Sequence, residues 1–286
     1  MPPSLTSPFF SALRYSPLLA NAALPLRSLF TSSPPPTSPT VQRYLLRQPW
    51  SGASRECPTP IILVRAIGLS SAYPSLASSG SGSSPNAEED GHWEDWGAMF
   101  SEKGYTALEV DIAAPSTLTP PSPSASADGA ADRTVTQPPP SPLKAMSSLL
   151  ASQIRLLAIP FPPILVSSED SCLLTQMYIE DNPASGLVLL DPPSDDAGGS
   201  GSASKAAGGN ADAWQLPKFG YEPRFPILLM ASTDRMGEVE QSRLGKAAAN
   251  GRSRGGKGVT LERVVDGHRG EKSRIVVERW MDSCGF

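Results

Sequence analysis

Short apolar runs alternate along the chain with stretches that repeat apolar residues at helical spacing. The run IILVRAIG, residues 61–68, is rich in β-branched side chains and predicts a strand buried on both faces. Tryptophan, methionine and phenylalanine then recur at helical spacing over residues 93–100, and Gly104 ends that pattern. One strand followed by one helix in this way is typical of a βα unit.

The same alternation continues to the end of the sequence and predicts six strands separated by helices. The predicted strands are 61–68, 105–115, 162–168, 185–193, 225–234 and 259–268, and the predicted helices are 92–105, 141–159, 172–183, 237–251 and 272–286. Strands that alternate with helices form a mostly parallel sheet with helices on both faces, because the crossovers are right-handed. The predicted class is therefore α/β, with its site at the carboxyl ends of the strands.

Three stretches of low complexity interrupt this pattern. They are residues 76–90, 115–143 and 194–213, and they consist mainly of Ser, Gly, Pro and Ala. Such a composition buries too little apolar surface to offset the entropy lost on ordering the backbone. The sequence therefore predicts one domain over residues 57–286 that carries these three stretches as flexible surface insertions.

The amino-terminal stretch has a composition of its own. No Asp or Glu occurs in residues 1–55, whereas five arginines are spread among Ser, Leu, Pro and Phe. An arginine-rich, serine-rich and acid-free segment is typical of an organellar presequence. We therefore expect residues 1–48 to be a mitochondrial transit peptide and disordered tail; a disordered basic tail is the alternative.

Charge and residue counts exclude several classes of function. The formal net charge is −4, which gives no electrostatic reason to expect binding to nucleic acid. No apolar run approaches about 18 residues, which argues against a transmembrane segment. Three cysteines and two histidines lack the spacing of a disulfide framework or a metal site. No glycine-rich phosphate loop follows a strand, so neither a cofactor nor a metal is expected.

Five blocks of the sequence together resemble the α/β-hydrolase superfamily, and one of them, residues 93–116, resembles the helix and strand that follow the first core strand. ILVSSEDSCLLTQMYIEDNPASGLVLLDPP, residues 164–193, resembles the strand, nucleophile elbow, helix and next strand of those enzymes. IILVRAIGLSS at 61–71 resembles their first core strand and oxyanion loop, and the blocks at 225–237 and 259–283 resemble the strands that deliver the acid and the histidine. The resemblance implies a reduced α/β-hydrolase fold that acts on a small acyl or ester substrate.

The catalytic residues of this superfamily carry over only in part. His268, after the last strand, matches the general base, and Asp234, after the preceding strand, matches the acid that orients it. At the elbow, the gapless alignment places Glu169 at the nucleophile position between the small residues Ser167 and Ser171. Histidine cannot activate glutamate as it activates serine, so the resemblance implies an ester or thioester hydrolase-like protein with weak or lost activity, a pseudoenzyme.

Other interpretations remain open at this point. A shift of one residue puts Asp170 at the nucleophile position, and the opposite shift puts Ser168 there, either of which would give an active hydrolase. A non-enzymatic mitochondrial binding or assembly module is a third function. Arg65 aligns with the histidine of the superfamily's His-Gly pair; it either stabilises an anion or pairs with a nearby carboxylate.

Overall fold

A single β-sheet is the centre of the fold. The computed structural model describes residues 38–77, 93–115, 140–195, 214, 216–222, 224–251, 258–264 and 270–286, all within one unit, Pro35–Phe286. The strands are β1 (Thr40–Arg47), β2 (Cys57–Ile67), β3 (Tyr105–Ala113), β4 (Ile164–Ser168), β5 (Gly186–Leu190), β6 (Ile227–Ser232) and β7 (Val259–Val264). Their order across the sheet is β1-β3-β2-β4-β5-β6-β7. Only β1 is antiparallel to its neighbour, and all other pairs are parallel.

Helices cover both faces of the sheet. They are α1 (Leu69–Ala72), α2 (Pro74–Ala77), α3 (Glu94–Glu102), α4 (Pro142–Leu156), α5 (Ser171–Asp181), α6 (Met236–Gln241), α7 (Arg243–Asn250) and α8 (Glu271–Cys284). One apolar cluster joins the sheet to α1, α4, α5 and α7, and a second joins its other face to α3 and α8. The central strands β4 and β5 are buried along their whole length because apolar side chains meet helices on both sides.

The predicted α/β class and the mostly parallel sheet are confirmed. The six predicted strands correspond to β2 through β7. The predicted helix over 237–251 is wrong in one respect, since it consists of α6 and α7. Ser242 takes extended backbone between them, and its hydroxyl accepts a hydrogen bond from Gly245 N, which caps the start of α7.

Strand β1 lies within the segment, 1–48, that the sequence assigns to a basic tail. Its residues alternate between half-buried and exposed from Val41 onward, as expected for an edge strand with one face on the protein. Arg47 Nε lies 2.9 Å and Arg43 Nη2 lies 3.4 Å from the carboxylate of Glu109 on β3, which is 1% exposed. The ordered domain therefore begins before residue 57, because two arginines of the basic segment neutralise a buried carboxylate.

Parts of the sequence predictions fall outside the described residues. These parts are residues 1–37 of the expected transit peptide and residues 78–90, 116–139 and 196–213 of the three expected insertions. Among the helices of the described residues, none is long and apolar enough to cross a membrane.

Candidate functional site

The turn between β4 and α5 contains a residue with left-handed backbone. β4 ends at Ser168 and α5 begins at Ser171, and Glu169 between them has φ 51°. Glu169 N donates to Leu190 O on β5 at 2.8 Å, and Glu169 O accepts from Cys172 N at 2.9 Å. This turn, called the elbow below, resembles the sharp, strained strand-to-helix turn that carries the nucleophile in α/β hydrolases. Glu169 is therefore at the apex of the elbow, and its side chain is exposed.

The two small residues that flank the apex use their hydroxyls inside the protein. Ser167 Oγ lies 2.7 Å from Thr175 Oγ1, which joins the end of β4 to the first turns of α5. Ser171 Oγ accepts a hydrogen bond of 2.9 Å from Ala66 N near the end of β2. These bonds hold the elbow against β2 and α5.

The residues next to the apex differ from Glu169 in backbone and burial. Ser168 is the last residue of β4 and is 1% exposed. Asp170 has ordinary right-handed helical backbone, with φ −58° and ψ −27°, and is half-buried. The left-handed conformation thus belongs to Glu169 and to neither neighbour.

Three charged side chains lie at the elbow: the carboxylates of Glu169 and Asp170 and the guanidinium of Arg235. Burial raises the pKa of Asp170, the negative charge of Glu169 raises it further, and the positive charge of Arg235 opposes both effects. Arg235 is held in place because Nη1 donates to Asp191 O at 2.9 Å and Nη2 donates to Pro192 O at 2.8 Å. The elbow thus lies beside a fixed positive charge.

Asp191 is a buried acid at this site that the sequence reasoning missed. It follows β5 directly, has φ 49° and is 1% exposed. Its Oδ1 accepts from Ser232 N at 2.8 Å and from Ser232 Oγ at 3.3 Å, which ties the end of β5 to the end of β6. The signal in the sequence is an aspartate directly after a fully apolar run, at the carboxyl end of a predicted strand.

The structure describes the predicted acid but not the predicted base. Asp234 lies in the turn after β6 and is exposed. His268 lies outside the described residues. The catalytic roles of Asp234 and His268 remain predictions.

Arg65 pairs with a carboxylate. Its Nη2 donates to Asp111 Oδ2 at 2.8 Å, and both side chains are largely buried at the carboxyl ends of β2 and β3. Because β2 continues to Ile67, Arg65 and Ala66 belong to the strand, as the predicted strand over 61–68 has them. Among the two interpretations of Arg65, the ion pair is the one that the contacts support.

Cys172 is chemically protected in the first turn of α5. Its side chain is fully buried, and burial raises the pKa of the thiol to about 12. The thiol therefore stays protonated at neutral pH and is a weak nucleophile. In the part of the chain that the structure describes, no group of His, Cys, Asp and Glu side chains is arranged to hold a metal ion.

The described part of the β5–β6 connection packs against helices α5 and α7. Tyr221 Oη donates to Gln176 Oε1 at 3.1 Å, and Gly220 N donates to Glu180 Oε1 at 2.6 Å, both on α5. From α7, Arg243 Nη1 donates to Tyr221 O at 2.7 Å, and its guanidinium lies 4.5 Å from the Tyr221 ring centroid. Residues 216–222 are therefore held on the side of the sheet that α5 and α7 cover.

The strand order, the antiparallel edge strand β1 and the left-handed residue between β4 and α5 define an α/β-hydrolase fold. Neither a family model nor a curated protein matches the sequence.

Several solved structures are similar in fold. The NocB thioesterase domain from the nocardicin cluster is 12% identical, with 84% of this chain and 98% of that one covered and a TM-score of 0.44. MenH from S. aureus is 12% identical, with 86% and 100% covered and a TM-score of 0.44. A serine hydrolase without a lid from Xanthomonas campestris is 13% identical, with 87% and 94% covered and a TM-score of 0.42. The fold assignment rests on the strand order and elbow of this chain itself.

Proposed function

We propose that the protein is an ester or thioester hydrolase-like protein whose hydrolytic activity is weak or absent. The observation that carries this proposal is Glu169 at the apex of the elbow. In the serine mechanism a histidine removes the hydroxyl proton as the oxygen attacks the substrate carbonyl. Glutamate has no alcohol hydroxyl for a histidine to deprotonate, so the His268 and Asp234 pair would have nothing to activate there.

The register of the elbow supports the same conclusion. Ser168 pairs with Leu190 in the β4–β5 ladder, and the next residue, Glu169, donates its N–H to Leu190 O. A slip of one residue would turn every side chain of β4 to the opposite face of the sheet. Ser168 and Asp170 therefore take the apex only at the cost of the buried packing of β4.

The experiment is steady-state turnover of p-nitrophenyl acetate and p-nitrophenyl octanoate by the full chain. The matched control is the variant His268→Ala, which removes the expected base. We expect the two proteins to hydrolyse these esters at the same rate, which is equal to or only slightly above the rate in buffer. Turnover by the natural sequence that the substitution abolishes would overturn the proposal, and Ser168→Ala and Asp170→Asn would then identify the nucleophile.

We also propose that the protein acts in mitochondria. Support comes from the acid-free, arginine-containing composition of the chain before β1. Because β1 begins at Thr40, a removable presequence has to end before that residue if the sheet is to keep its edge strand. A fluorescent protein fused after Phe286 is expected to mark mitochondria with the full chain and the cytosol with a chain that starts at Ser38. Equal distribution of the two fusions would contradict this localisation.

A further inference from the structure

Strand β1 lies at one edge of the sheet and has a strand neighbour on one side only. It pairs with β3, and within the described residues no strand pairs with its other side. On β3, Ala114 N donates to Ile67 O, so the backbone groups of Ala114 face β2. Successive residues of a strand direct their backbone groups to opposite neighbours. Glu109, an odd number of residues before Ala114, therefore faces β1, and its register partner Leu45 faces β3.

The backbone groups of Tyr44 and Leu46 consequently point to the open side of β1. Each of these two residues is adjacent to Leu45, whose own N–H and C=O bond to β3. Their side chains are 40% and 37% exposed, and Trp50, just past the end of β1, is 60% exposed. The open edge thus combines backbone groups that can bond to a further strand with exposed apolar side chains.

The features that usually protect an edge strand are missing from the middle of β1. Such features are proline, lysine or a bulge at the edge. β1 contains neither proline nor lysine, and its bulge, at Gln42, precedes the regular pairing of residues 43–47. Its two arginines, Arg43 and Arg47, both contact the carboxylate of Glu109, and Arg43 also pairs with Glu94. The positive charge of β1 is therefore neutralised within the same chain.

These observations define the kind of strand that fits the open edge. It is extended, carries no net charge where it meets β1 and has apolar side chains at two alternate positions. β1 itself meets these requirements, because antiparallel pairing about a two-fold axis joins the same edge of two copies. A two-fold axis normal to the sheet places Tyr44 of each copy opposite Leu46 of the other. Each such pair exchanges two backbone hydrogen bonds and brings two apolar side chains together on one face.

We propose that two copies of this chain associate through antiparallel pairing of their β1 strands, so that one sheet continues across both. The inference is independent of the proposed function. The elbow follows β4, the fourth strand from this edge, so the contact leaves the elbow uncovered.

The test is sedimentation velocity of the full chain over a range of micromolar concentrations. We expect the natural sequence to approach twice the mass of 30.1 kDa as the concentration rises. Tyr44→Lys/Leu46→Lys places like charges directly opposite each other and is expected to weaken association at least about tenfold. The control, Gln241→Lys/Ile275→Lys, adds the same charge on α6 and α8 and is expected to associate as the natural sequence does.

A mixture of two variants tests the contact between copies directly. Tyr44→Glu/Leu46→Glu should associate as weakly as the lysine variant does. The two variants together are expected to form a mixed dimer, because each facing pair then joins opposite charges. If a charged variant fails to fold, Tyr44→Pro takes its place and is expected to be monomeric, since it removes an N–H that points away from β3.

Three results would overturn the inference. The first is a natural chain that is monomeric at every concentration, whether its edge is open or taken by another segment or protein. The second is association of the lysine variant, or of Tyr44→Pro in its place, as strong as that of the natural sequence. The third is a mixture of folded lysine and glutamate variants that stays monomeric.

Discussion

Two acidic residues at the carboxyl end of the sheet hold left-handed backbone. Glu169 has φ 51° and Asp191 has φ 49°, and each donates its N–H to a carbonyl at or near the end of the next strand, Leu190 O and Met230 O respectively. Left-handed backbone in a residue other than glycine costs about 1–3 kcal/mol and persists only where its surroundings enforce it. Here the strand ladders enforce it, so the elbow keeps its shape without a serine at its apex.

The pKa of Asp170 provides a pH-dependent test at this scale. Burial, then repulsion by Glu169, raises that pKa above the value of 3.8 found in unfolded chains. A raised carboxyl pKa in the folded state means that stability is lost as the pH rises above the unfolded value. Asp170→Asn is therefore expected to stabilise the protein at pH 7 and to have no such effect near pH 3.

Urea unfolding at the two pH values measures this difference. The exposed Asp234→Asn is the control and is expected to change the free energy of unfolding by less than about 0.5 kcal/mol at both. A destabilised Asp170→Asn protein at pH 7 would show that the charged form is the favoured one in the fold.

At the scale of elements, β1 is the strand that the sequence pattern did not predict. Its arginines gave the segment the composition of a basic tail, although Val41 and Leu45 share a face with them. Their partner Glu109 lies more than sixty residues further along the chain. A charge that is neutralised by so distant a residue leaves no local pattern, whereas the apolar periods that predict β2 through β7 are local.

The same distinction applies to the site. The order of blocks places Glu169 at the nucleophile position, since strand, turn and helix are continuous in sequence. The bonds from Ser171 to Ala66 and from Asp191 to Ser232 join residues that are far apart in sequence, and no pattern predicts them. The break at Ser242 depends on a single capping hydroxyl within a helical period.

Deletion of β1 is expected to destabilise the domain. A chain that starts at Pro49 lacks both arginines that neutralise Glu109, and it exposes the edge of β3. Removing the partner of a buried charge costs about 3–5 kcal/mol, so this chain should unfold at lower urea concentration than one that starts at Ser38. Glu109→Gln in the shorter chain should recover part of the loss. Equal unfolding midpoints for the two starts would show that β1 does not stabilise the sheet.

Alanine-to-glycine substitution is expected to change stability in opposite directions inside α4 and just after its end. Ala158, just after the helix, has φ 52°, whereas Ala145 lies inside α4. Ala158→Gly is expected to stabilise the protein by up to about 1 kcal/mol, since glycine adopts left-handed backbone readily. Ala145→Gly should destabilise it by about 0.5–1 kcal/mol. Thermal unfolding that moves in the same direction for both would contradict the left-handed backbone at Ala158.

At the scale of the whole molecule, the packing that stabilises the fold does not depend on the residues at the elbow. Two apolar clusters hold helices on both faces of the sheet, and neither includes an elbow carboxylate. The carboxyl end of the sheet collects Glu169, Asp170 and Asp191 beside Arg235, where a hydrolase would present a nucleophile. A fold of this kind is stable whether or not its site is active, because function depends on the site and not on the packing.

The most direct test is the intact mass of the full chain after incubation with excess p-nitrophenyl butyrate and an acid quench. If the elbow lacks a working nucleophile, the mass is unchanged and no butyryl group is found on the peptide that spans residues 167–171. A butyryl adduct on that peptide, absent from the His268→Ala variant, would show a nucleophile activated by histidine and would contradict the central claim.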